Sequence, residues 1–144
     1  MPLPRRRVNK DVAGSYEADR RLAGEYRDRL AAAGRAEETL RAAQAAGGPD
    51  EEIAALRSAF DRALTGALAA AQAAERAEIG PKGYAADEQD AKARRAAEIH
   101  RRKGLAKPAV QPWTAEIDRL RTVREQHRLG FRDRPATVPP AWVA

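Results

Sequence analysis

Cysteine is missing from this 144-residue chain. No disulfide framework can staple it, and no thiolate is present to act as a nucleophile or a soft metal ligand. Aromatic residues are scarce at 5%. Leu, Ile, Val and Phe together supply only about 15%, where less than about 20% marks a chain with little to build a core from. Long apolar runs are lacking too. The best stretch, Leu64 to Ala74, is interrupted by Gln72 and falls well short of the ~20 residues that span a bilayer. The opening MPLPRRRVNKD has charge without the apolar segment of a secretion signal. These gaps point away from a secreted, stapled or membrane-inserted protein. The expected location is the cytoplasm, or a virion if the gene belongs to a phage.

What the chain has instead is alanine, about a quarter of it, and charge: 27 Lys and Arg against 21 Asp and Glu. Alanine is the strongest helix former, so the expected fold class is all-α. Its methyl group contributes little on burial. A leucine gains about 1.5–3 kcal/mol, while fixing one residue of backbone costs about 1–2 kcal/mol. Alanine-faced helices therefore need close packing along their length, against this chain or a partner, and a lone copy is expected to be only modestly stable.

The organisation read from pattern and punctuation is a long antiparallel helical hairpin with two shorter helices and extended, proline-containing ends. Residues 1–11 form a basic arm, because Pro2 and Pro4 oppose helix. The hairpin covers 12–79. Its first helix runs to about Ala46, with Tyr16, Leu22, Tyr26, Leu30 and Leu40 on the apolar side. Gly24 and Gly34 mark weak points or close approaches of another backbone. GGPDEE turns the chain: Gly47 and Gly48 end one helix, Pro49 opens the next, and Asp50, Glu51 and Glu52 face its exposed amides. Ile53, Leu56, Phe60, Leu64 and Leu68 form the strongest apolar stripe. Residues 80–107 hold a basic helix, about Ala85 to Lys103, in which Ile99 stands alone among alanines and charges. Pro108 and Pro112 bracket a stiff extended link, and Thr114 caps a fourth helix within 108–130. Residues 131–144 form an extended docking tail.

Catalytic and metal-binding groups are thin, so no cofactor, no metal and no enzyme activity are expected. His100 sits beside RRK and His127 between Gln126 and Arg128, neither with a ligand-spaced partner. AAGGPD lacks the strand and the Lys-Ser/Thr of a phosphate loop. Binding features are more evident. Between Lys92 and Lys107 seven basic side chains face one acid, Glu98. Arg94, Arg95, Arg101, Arg102, Lys103 and Lys107, with Arg5, Arg6 and Arg7 as a second contact, could meet phosphates or an acidic protein. Trp113, Phe131, Trp142 and Val143 are the expected anchors for a protein partner or for self-association. No nucleic-acid-binding module can be assembled around these residues, and the aromatics are not interleaved with the cations. The expected function is a non-enzymatic structural or adaptor subunit of a larger assembly, such as a phage head–tail or virion component. The alternative is a nucleic-acid-binding accessory protein that contacts DNA or RNA through its basic segments.

Overall fold

The computed structural model describes residues 2–133, with side chains from 10 to 130. Five α-helices account for most of them: α1 Pro2–Gly24, α2 Tyr26–Ala45, α3 Asp50–Ile79, α4 Ala91–Gly104 and α5 Gln111–Asp133. A short 3₁₀ turn, Pro81–Gly83, follows α3, and no strand occurs among the described residues. The fold class is all-α.

The first long helix is two. Glu25 leaves the helix, its N–H turning back to the Leu22 carbonyl at 3.0 Å, so α1 and α2 meet at a break beside Gly24. The N-terminal arm is helical rather than extended, since α1 starts at Pro2. Proline opposes a helix interior, but in the first turn its missing N–H had no partner to lose.

Between α2 and α3 the chain reverses through a glycine cap. Gly47 adopts φ +67°, while its N–H bonds to the Gln44 carbonyl and that of Gly48 to the Ala43 carbonyl. This is the paired Schellman pattern, and a side chain at Gly47 would be strained. Pro49 lies just outside α3, and its carbonyl accepts the first helical bond, from Ile53.

α3 is the central rod, about 45 Å long at 1.5 Å per residue. Asp19 pairs with Arg76, and Arg29 reaches the Gly66 carbonyl. Ten residues forward on α1–α2 is ten back on α3, so they run antiparallel. Thr114 meets Glu75 and Arg128 meets Asp61, which sets α5 antiparallel to α3 as well. The fourth predicted helix is thus a third layer of the body, not an extension hinged away from it. It starts at Gln111, with Pro112 and Thr114 inside the first turn; of the extended link expected between Pro108 and Pro112, 108–110 are turns and the rest is helix, with Val110 fully buried.

Alanine fills the space at the centre. Ala67, Ala70, Ala71 and Ala73 on α3 have no exposed surface, and the first three share a core with Tyr26, Ala33, Leu40, Phe60, Leu64, Leu68, Ile117 and Leu120. Small side chains let the neighbouring helices approach α3 closely, and dispersion contacts replace part of the missing apolar bulk. The chain supplies both sides of its own alanine seam. No close approach occurs at Gly24 or Gly34, where an added Cβ would meet nothing within 4 Å.

Candidate docking surface

At the far end of α3, Ile79 is the plug that holds α4. It is buried, and Gly83 and Gly104 close around it: a Cβ on Gly104 would stand 2.9 Å from Ile79 Cγ2, and one on Gly83 3.0 Å from the same atom. Asp90 caps α4, accepting from the Lys92 N–H at 3.1 Å, so the helix begins at Ala91 and not at Ala85. Ala97 and Gly104 are its buried positions. They lie seven apart, two turns on one face.

That anchoring decides where the basic residues point. On the side away from Ala97 stand Lys92, Arg95, Ile99, Arg102 and Lys103, all exposed. Ile99 is 47% exposed, with Lys92 and Lys103 along one flank and Arg95 and Arg102 along the other. Arg102 is paired with Glu98 at 2.7 Å. Arg94 and Arg101 turn instead toward an open groove of about 1550 Å³. Its other walls carry Asp11, Val12 and Ser15 of α1, Tyr84, Asp87 and Glu88 of the loop before α4, and Glu98. The groove is of mixed sign. Lys107 reaches back to the Ile79 carbonyl at 3.5 Å.

Beside the groove, Arg76 forks onto Asp19 with bonds of 2.9 and 3.0 Å, and the Tyr84 hydroxyl donates to the same carboxylate. Burial pushes the Asp19 carboxyl up, but the hydrogen bonds from Arg76 and Tyr84 and the Arg76 charge outweigh it and hold the group below its usual range. Tyr84 stacks edge-on against Tyr16. The cluster joins α1, α3 and the loop before α4, with the bonds from Arg76 and Tyr84 all ending on the Asp19 carboxylate. Its role is structural.

The expected anchors divide. Trp113 is half-buried, its ring edge-on to Tyr26 at 5.2 Å, where it packs on the core. The Tyr26 hydroxyl donates to Glu116, and burial followed by that bond pushes Tyr26 up to about 12. Phe131 lies on the last turns of α5, a helix that continues to Asp133, so the tail begins later than residue 131. Trp142 and Val143 fall outside the described residues, as do the side chains of Arg5, Arg6 and Arg7. His127 is a packing residue: its ring meets Phe60 at 4.7 Å and its Nε2 donates to the Arg57 carbonyl. Among the described residues no group of three or more His, Asp or Glu could hold a metal ion. None of their helices is long and apolar enough to cross a membrane.

Ile99 is the surface residue that sequence reasoning passes over. Its signal was present, a lone large aliphatic in a charged helix, but such a residue is ordinarily assigned to the inner face. Comparison with protein-family models, curated proteins and solved structures yields no match.

Proposed function

We propose that this protein is a non-enzymatic docking subunit of a larger macromolecular assembly, and that α4 carries its partner-facing surface. One observation supports this most: an exposed isoleucine between two cationic flanks, on a helix secured to the body by small residues. Most other large aliphatic side chains with described surroundings are at least partly packed into the body. An exposed aliphatic ringed by charge has the composition of an interface patch, with an apolar centre and a polar rim. The tail at 134–144, with Trp142 and Val143, is a second contact in this reading. A phage head–tail joint or another virion component is one assembly with such a requirement.

The test is a photo-crosslinking amino acid at position 99 of the full chain, expressed in its native host. Discrete adducts are expected, and they should disappear with Arg95→Glu/Arg102→Glu while the helical circular dichroism is unchanged. A chain that yields no adduct at position 99 refutes the docking surface. Removal of residues 134–144 should lower adduct yield without altering the melting temperature.

A second reading, a nucleic-acid-binding accessory protein, draws support from the position of α1. Asp11 and Val12 share the groove with Arg94 and Arg101, so the helix that carries Arg5, Arg6 and Arg7 reaches the same end of the body as α4. α1 and α4 thereby each lend a wall to one groove. Binding of this kind should weaken steeply with salt, and titration of a mixed oligonucleotide across a salt series measures it.

A further inference from the structure

We infer that the occupant of the outward face of α4 is an acidic amphipathic helix of a protein partner. The inference rests on the docking reading above and narrows it to one partner chemistry. The face has three parallel tracks. Ile99 is the ridge, Lys92 and Lys103 lie to one side, and Arg95 and Arg102 to the other. Lys92 and Lys103 are eleven residues apart, about 16 Å of helix, which is three turns of a partner lying alongside. A helix with an apolar stripe between two rows of Glu or Asp matches each track. Its stripe removes the exposed area of Ile99 from water, and its acids meet the four cations.

Phosphate backbones match less well. They would satisfy the cations but leave Ile99 against charged oxygens, with no gain from covering it. A second copy using the same face is disfavoured more simply, because a two-fold pairing would set four cations against four.

The probe is a displayed library of helical peptides with a fixed central leucine and flanking positions randomised among Glu, Lys and Ser, selected on the full-length chain. Glutamate should be enriched on both flanks. The best peptide should lose about tenfold or more in affinity on Ile99→Ser. The charge-reversed bait Arg95→Glu/Arg102→Glu should enrich lysine on the flank that meets those positions. All the altered positions are exposed, so unchanged melting temperatures are the control for folding. Selection without charge preference, affinity indifferent to Ile99→Ser, or displacement of the peptide by a lower concentration of mixed oligonucleotide would each overturn the inference. The position-99 crosslink separates the two levels. Nuclease-sensitive adducts refute the acidic helix and keep the docking surface; no adduct at all removes both.

Discussion

Two glycines with opposite prospects show how the same residue type serves different ends. At Gly104 a methyl group would press to within 3.0 Å of two Ile79 side-chain carbons, which branch at Cβ and have little freedom to turn away. Gly104→Ala should therefore push α4 off its plug. We expect faster amide exchange throughout α4 while the α3 amides stay protected, as exchange mass spectrometry would register. Gly34 lies within α2 with open space where its Cβ would be. Gly34→Ala should stabilise the chain by about 0.5–1 kcal/mol through helix propensity alone, seen as a higher urea midpoint. Both glycines are legible in sequence as helix punctuation. Only the neighbour, Ile79 or nothing, decides whether an added methyl helps or harms.

At the scale of elements, α3 differs from the other helices because it is covered on several sides. Its four fully buried alanines are a consequence of that position: neighbours on several sides leave their methyl groups no exposed surface. Ala71→Leu should cost about 1–3 kcal/mol by overpacking, measured as a drop in the urea midpoint with an unchanged m-value. A gain in stability would mean that the seam is loose. The helices themselves follow largely from local features: alanine content, the glycine cap at Gly47, and acids at the start of α3. The break at Glu25 and the early start of α5 did not. Each depends on what the neighbouring segment packs against: α1 and α2 both pack along α3, and the turn before α5 is anchored by buried Val110.

Across the whole molecule, acid groups tie separate helices together. Asp19 joins α1 to α3 through Arg76, Asp61 joins α3 to α5 through Arg124 and Arg128, and Glu116 on α5 accepts from Tyr26 on α2. The bond from Arg128 holds Asp61 below its usual range, against the upward push of burial, and the bonds from Arg119 and Tyr26 do the same for Glu116. Acids lowered in the folded state contribute fully above their unfolded values and lose that contribution as pH falls through the folded ones. Stability should therefore decline below about pH 4. Asp19→Asn should remove part of that decline and cost about 1–2 kcal/mol at neutral pH, as denaturant curves across pH would report. Tyr26 has the opposite sign. Raised to about 12, its contribution is intact below the ordinary value and is lost as pH rises toward 12, so a second decline is expected in that alkaline range. A flat acid limb would mean that the three acids do not pin the helices.

The sequence by itself determined that this chain is all-helical, where it reverses between α2 and α3, and that α4 is basic. Those properties rest on composition and on contacts between near neighbours. Tertiary structure alone decided that Trp113 packs on Tyr26, that α5 closes the body, and that α4 turns Ile99 outward. The last has a specific physical cause. Ile79 brings the bulk to that junction from α3, so α4 must offer small residues, Ala97 and Gly104, and its one large aliphatic side chain is left facing away.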